Sequence, residues 1–495
     1  MSRRKNHSHL PPGSRSACLE QLGTWTRRNA YLFRGYGELA RFTMPRHWLP
    51  LLAGCVLALS LARTIRAENA AGGGTSSTPT VAARNVVDIR PNKRGLPTVR
   101  AIAPLNEANV IFLNREGQVG IAKFTPGLGL IAWDLYSTIK QDALAGIVPG
   151  NNLSVLSATP ADLTQAFDTD DDLKLDFFQA VVSEWPGKKD GVVITAGPVS
   201  AGDGRVLLAL SPHRLEKTGP AKASVVAWHP QWKGIRTVAT SVLPIRAMAV
   251  SPKGILATRL YMPKYKGGFY VSLNELAPFD PAKKETSKEE TPSSQVPGTQ
   301  PSLLIPAELT GKQSPEQICF VREDRVEKLL ITSPDSNQLL EISPEKAGNS
   351  WQGSILVRQK TPLPLETVCY LGADKILGGG PKGFLPIDRN DHVFRIRSVQ
   401  LKDDGLEVNF TKPLNRFTGV RPDSFSVRAF PLQSGKGEKG ITIPEPVIES
   451  DGLTVVLRSA AIPGDSVIRI KCMNLTSETG EKLTNPLVFY TVHQR

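Results

Sequence analysis

The densest chemistry in the chain is a run of carboxylates. From Leu163 to Val182 the sequence reads LTQAFDTDDDLKLDFFQAVV, with Asp168, Asp170, Asp172 and Asp176 at even spacings and Asp171 among them. Carboxylates at alternate positions of a tight loop can converge on a hard cation, and Ca²⁺ takes roughly six to eight oxygens in a flexible geometry. Loops of this kind favour glycine at the sixth position, where the backbone turns sharply. Leu173 stands there instead. The same run also reads as an acidic turn held in solvent, because like charges without a cation repel. Both readings stay open at the level of sequence.

Proton-transfer chemistry is sparser. After residue 67 the histidines are His213, His229, His392 and His493. His229, in VVAWHPQW, is the best candidate for a general base, with Trp228 and Trp232 on either side to stack on a planar ligand. Its other reading is a strand-end histidine packed between aromatics. His213 follows Ser211-Pro212 and reads as a turn residue, and His392 and His493 fall at a domain junction and near the C-terminus. Phosphate-binding, serine-hydrolase and zinc-protease motifs are absent, and Gly378-Gly379-Gly380 precedes Pro381, as a turn does and a helix-opening phosphate loop does not. The run YMPKYKGGFY (261–270) is aromatic and basic, as a binding face or a blade's outer hairpin would be. Cys319, Cys369 and Cys472 are far apart and lie in apolar runs, which excludes a zinc knuckle, a c-type haem site and a disulfide scaffold and reads as buried thiols.

The elements that position these residues are strands. A short apolar strand, a polar turn and a second apolar strand recur from Val99, Leu144, Val192, Ile245, Gln317 and Thr367. The interval is roughly 45–50 residues apart from one longer gap, which is the spacing of propeller blades. Each small sheet has apolar faces it cannot cover alone, and radial stacking covers them. From His392 the texture changes to seven strand-like runs over about 100 residues, the pattern of an immunoglobulin-like sandwich. The expected fold is therefore all-β, a β-propeller of about six blades over 85–391 and a β-sandwich over 392–495. Two low-complexity stretches punctuate it: a tether at 68–84, and a charged Pro/Ser-rich insert at 281–302 expected to be disordered.

Residues 1–67 read as a leader. The apolar run from Trp48 to Ala62 has the length of a signal-peptide core and is short for a membrane span. Cleavage after Ala67 fits, Met44 offers a compact alternative start, and an uncleaved leader would instead act as a membrane anchor. The expected location is the periplasm or the cell exterior. The leader also explains the charge. The whole chain has 60 Lys and Arg against 46 Asp and Glu, but residues 1–67 alone hold 11 against 2. The rest is close to balanced and carries no basic stripe with interleaved aromatics, which argues against a nucleic-acid partner.

In segment order the chain resembles a bacterial family of exported propellers related to PQQ-dependent glucose/sorbosone dehydrogenases, many of which add a C-terminal sandwich and a cytochrome module. The Asp run resembles the family's D-T-D-G-D-G-x-x-D loop, SVLPIRAMAVSPKG (241–254) resembles its G-L-R-x-P-x-G segment, and VFRIRSVQLKDDGLEVNFTKPL with LVFYTV resembles the sandwich's first and last strands. The resemblance implies a Ca²⁺ site at Asp168, Asp170, Asp172 and Asp176, a PQQ cofactor, and a histidine base. It also marks departures. Asp171 and Leu173 replace two glycines, Leu243 falls where the family has arginine, and Arg246 lies three residues on. WPGKKDGVVITAGPVSAGDG (185–204) lacks the family's histidine, and there is no C-x-x-C-H for a cytochrome. Arg246, Trp228 and Trp232 remain as cofactor-binding candidates. The sequence therefore leads to a catalytically degenerate propeller, a binding or scaffolding module for a protein, glycan or small molecule. The alternative is a PQQ-dependent sugar or alcohol dehydrogenase that passes electrons to a separate cytochrome.

Overall fold

The computed structural model describes residues 95–493 apart from 138, 143, 145, 171, 173, 214–222, 262–267, 280–300, 311–316, 324, 390, 433–436 and 460, and only the backbone of 152 and 422. The leader with Met44, the tether, nearly all of the insert, Asp171 and Leu173 lie outside the described residues. Among the described residues no helix is long and apolar enough to cross a membrane.

Six small antiparallel sheets follow one another, each opening where a sequence repeat opens. The first holds β1 (Ala101–Pro104), β2 (Asn109–Leu113), β3 (Val119–Phe124) and β4 (Leu130–Leu135). The second holds β5 (Ile147–Pro149), β6 (Val155–Ala158), β7 (Leu163–Phe167) and β8 (Phe177–Val182). The third holds β9 (Val192–Ser200), β10 (Val206–Pro212), β11 (Ala223–Trp228) and β12 (Ile235–Ser241). The fourth holds β13 (Ile245–Val250), β14 (Ile255–Leu260), β15 (Phe269–Glu275) and β16 (Leu303–Ile305). The fifth holds β17 (Ile318–Glu323), β18 (Val326–Ser333), β19 (Gln338–Ala347) and β20 (Ser350–Lys360). The sixth holds β21 (Thr367–Gly372), β22 (Lys375–Gly380) and β23 (Gly383–Ile387).

Strands in each sheet lie side by side in chain order because the connecting turns are short. Between β1 and β2, for example, Asn106 Oδ1 accepts from the amides of Ala108 and Asn109 at 2.9 Å, an Asx turn that closes the hairpin. The first strands touch in sequence: β1 against β5, β5 against β9, β9 against β13, β13 against β17, β17 against β21, and β21 against β1. Val99 N–H donates to Gly380 O at 2.9 Å, and Arg115 pairs with Glu366, so the first sheet is also tied to the sixth.

The C-terminal segment forms two more sets of four strands. One is ordered β24 (Ile396–Lys402), β25 (Gly405–Phe410), β29 (Thr454–Arg458), β28 (Pro446–Ile448). The other is ordered β31 (Leu487–Val492), β30 (Ser466–Cys472), β26 (Phe425–Pro431), β27 (Lys439–Ile441). Val399, Val408 and Leu457 of the first set share one buried core with Val427, Ile468 and Tyr490 of the second. The run GITIPEPVI, which reads as one strand, becomes two strands in different sheets, β27 and β28. Pro444 lies between them, and proline cannot continue a hydrogen-bonded ladder.

One feature of the topology is absent from the sequence pattern. Gly353–Leu356 of β20 pair with Val488–Thr491 of β31, so the fifth sheet and the second C-terminal set form one continuous eight-stranded sheet. On its other side Gly353 passes close to β19. Its φ is +151°, and a Cβ there would lie 2.2 Å from the Ser343 carbonyl oxygen. Leu432, Val467 and Phe489 of the C-terminal segment complete the largest core, with Leu303, Ile305, Ile331 and Ile342 from the fourth and fifth sheets. Tyr270 O–H donates to Leu432 O at 2.7 Å, and His493 Nε2 lies 2.7 Å from Ser302 O.

Candidate functional site

The acidic run forms the loop between β7 and β8. One carboxylate oxygen each from Asp168, Asp170 and Asp172 lie within 4.8 Å of one another, with Asp168 half-buried and the other two exposed. The loop is fixed from both sides. Asp172 N–H donates to Asp170 Oδ1 at 3.3 Å, Leu175 N–H to Tyr136 O at 2.7 Å, and Lys174 Nζ to Leu135 O at 2.5 Å. It therefore bridges the second sheet to the outer strand of the first. Asp176 takes a different role. Its carboxylate accepts from Thr169 N–H at 3.1 Å and Thr169 O–H at 2.6 Å. The hydroxyl bond to Thr169 is the main cause of its pKa lying below the ordinary carboxylate value. The donor set of three clustered carboxylates has the hard-oxygen character that Ca²⁺ takes.

His229 leaves the end of β11, the third strand of its sheet. Its ring centroid lies 5.7 Å from that of Trp232 and 4.9 Å from that of Phe279, and Trp232 meets Phe279 edge-on at 5.5 Å. Gln231 N–H donates to His229 Nδ1 at 3.2 Å, which assigns the neutral tautomer with the proton on Nε2. Partial burial, joined by the charge of Arg205 and opposed by that of Asp203, holds its pKa below 6.5. Arg205 is itself buried. It pairs with Asp203 at 2.6 Å, donates to Ala277 O at 3.0 Å, and sits 5.7 Å from the Phe279 ring. Arg236 covers Trp232 at 4.2 Å.

The two tryptophans do not flank His229 in space. Trp228 is buried with Trp185, Leu156 and Leu208 in the core between the second and third sheets, while Trp232 packs on the opposite side. Strand alternation explains it: Trp228 ends the strand facing inward, and Trp232 follows a turn. Trp228 and Trp232 therefore pack against different cores. Arg246, on β13, lies over Tyr261 at 5.8 Å and close to Arg259. Burial first, and then the Arg246 charge, pull Arg259 down to about 10.

Other candidates are structural. His213 N–H donates to Gly191 O at 2.9 Å, and His392 is largely exposed beside Asp388 at 3.5 Å. Cys369 and Cys472 are buried and Cys319 half-buried, all three with free thiols. Burial pushes Cys319 and Cys472 to about 12.

Sequence reasoning missed a buried charge network in the fifth sheet. Arg358 donates to Glu323 at 2.7 and 3.1 Å and to Glu341 at 2.9 Å, and Lys328 Nζ donates to Glu341 at 2.6 Å. Arg358 and Glu341 are completely buried. Burial pushes Glu341 up, but Lys328, Arg358 and Arg395 more than reverse that and hold it below 4.5. The readable signal is one or two charges in or beside the apolar run of each of four successive strands: ICFVRE, VEKLLITS, QLLEIS and SILVRQ.

No protein-family model and no curated protein matches this chain. Solved structures similar to it include sugar dehydrogenases at low identity. A glucose dehydrogenase is 14% identical over 59% of this chain and 97% of its own, with a TM-score of 0.39. The soluble aldose sugar dehydrogenase of Escherichia coli, in its apo form, is 14% identical over 60% and 97%, with a TM-score of 0.34. The holo PQQ domain of pyranose dehydrogenase from Coprinopsis cinerea is 9% identical over 59% and 92%, with a TM-score of 0.36.

Proposed function

We propose that the chain is an exported six-bladed propeller with a fused immunoglobulin-like sandwich, acting as a binding or scaffolding module and not as a dehydrogenase. Closure of the propeller is supported by the first strands touching in sequence, with β21 returning to β1. Lettering β24 to β31 in chain order as A, B, C, C′, D, E, F and G, the two sets are A-B-E-D and G-F-C-C′, the order of that sandwich. Export rests on the leader, and any membrane contact on that leader staying uncleaved.

The observation that carries the functional reading is the engagement of His229. Its Nδ1 accepts from the Gln231 amide and its ring packs against Trp232 and Phe279. A base must reach the proton it abstracts. This one is spent on packing. Asp168, Asp170 and Asp172 would hold Ca²⁺, which would neutralise the loop that bridges the first two sheets. The partner class is a protein, a glycan or a small molecule.

The second reading is a PQQ-dependent sugar or alcohol dehydrogenase working with a separate cytochrome, and the descriptions of the solved neighbours suit it better. Titrating the leaderless chain with PQQ, with and without Ca²⁺, separates the two by absorbance and tryptophan quenching. Absence of saturation at high micromolar PQQ is expected. Saturable, calcium-dependent binding with dye reduction would overturn the scaffolding reading.

A further inference from the structure

Arg205, His229 and Trp232 grip one stretch of chain from two sides. Leu276–Phe279 follows β15 of the fourth sheet yet lies against loops of the third. Leu276 N–H donates to Gly254 O at 2.8 Å, Arg205 donates to Ala277 O at 3.0 Å, and the Phe279 ring closes on His229 and Trp232. The grip joins two neighbouring sheets through a histidine whose two nitrogens do different work. Nδ1 accepts the Gln231 amide and so shapes the turn that presents Trp232.

We propose that this is an acid-sensitive clamp: protonation of His229 releases Leu276–Phe279 from the third sheet. The reading rests on His229 being a packed side chain and not a base. Protonation at Nδ1 takes away the lone pair that accepts the Gln231 amide, because both ring nitrogens are then donors. It also places a second cation beside Arg205, whose guanidinium already faces the Phe279 ring. The charged groups around the imidazole are Asp203 and Arg205 from the β9–β10 loop, Arg236 from β12, which lies over the Trp232 ring, and the exposed Lys233 of the β11–β12 turn. Asp203 favours the cation, but it is already engaged by Arg205 through Nε at 2.9 Å and through its own backbone contact.

The sign follows from the lowered pKa. The folded clamp prefers the neutral ring, so its contribution is complete above 6.5 and is lost as pH falls through the folded value. Aromatic contact between imidazolium and Phe279 would oppose release. Burial and the Arg205 charge act in the other direction.

Hydrogen exchange of the full chain, read by mass spectrometry on peptides spanning 274–279 and corrected for intrinsic rates, tests the clamp between pH 7.5 and 5. Wild type should show a several-fold rise in exchange of this stretch as pH falls, with peptides of β13 and β14 unchanged. His229→Phe, which keeps a ring, should show protection that does not vary with pH. His229→Gln, which keeps an acceptor without titrating, should do the same and covers failure of the phenylalanine variant to fold. A wild-type stretch whose exchange is flat with pH, or variants that reproduce the wild-type profile, would overturn the clamp. PQQ binding measured at pH 7.5 bears on the scaffolding reading alone, so the two failures are distinguishable.

Discussion

Replacing Arg358 with methionine tests the buried charge network directly. Methionine is close to the volume of the arginine stem, so the change removes charge and hydrogen bonds more than packing. Wild-type Arg358 makes two bonds to Glu323 and one to Glu341, and both guanidinium and Glu341 are fully buried. Removing it leaves two carboxylates with Lys328, which lies 2.6 Å from Glu341 and 3.6 Å from Glu323, and with the charge of Arg395. An uncompensated buried charge costs about 3–5 kcal/mol. With a urea slope of about 2 kcal/mol per molar, the unfolding midpoint should fall by roughly 2 M. The loss should also depend on pH. Glu341 is held below 4.5 in wild type, so its stabilising share is present above that value and disappears as pH falls through the folded one. In the variant a cation is gone, Glu341 moves up, and protonation relieves the stranded charge. The gap between variant and wild type should therefore narrow between pH 7 and pH 5. A loss below about 1 kcal/mol, the size of an exposed pair, or a gap that does not vary with pH would refute the reasoning.

Three further outcomes follow from the same geometry. Calorimetry should detect Ca²⁺ binding to the wild-type chain and none to an Asp170→Ala, Asp172→Ala double variant; equal heats in both would remove the loop as a site. Gly353→Val should cost about 2–4 kcal/mol, because its Cβ meets the Ser343 carbonyl oxygen at 2.2 Å where β20 pairs with β19; urea midpoints measure it, and a change within error would exclude the close approach. A chain ending at Asp391 should expose Leu303, Ile305 and Ile342 by removing Leu432, Val467 and Phe489, and should bind a hydrophobic dye and unfold with reduced cooperativity; a sharp transition and no dye binding would show that the first six sheets stand alone.

What the sequence revealed and what it hid have separate physical causes. Strand positions were legible because alternation and turn chemistry are local: the repeats from Val99, Leu144, Val192, Ile245, Gln317 and Thr367 coincide with the six sheets. Convergence of Asp168, Asp170 and Asp172 was legible for the same reason, since all three lie in one hairpin loop. The positions of Trp228 and Trp232 were not. Which side of a strand end a residue takes depends on one residue of register, and a shift of one reverses the face.

The β20–β31 pairing was hidden for a different reason. It joins segments more than a hundred residues apart through backbone groups that every residue carries. Charge burial sits between these cases. Glu323, Lys328, Glu341 and Arg358 are each unremarkable in their own strand, and become a network only when four strands align them on one face of the fifth sheet. That alignment has a consequence for the C-terminal segment. Arg395, the residue before β24, is also buried and adds its charge to the field on Glu341. The chain thus enters its last domain through the same electrostatic cluster that the fifth sheet buries, and leaves it along a strand paired to that sheet. A segment attached at both ends to one sheet has little freedom to swing.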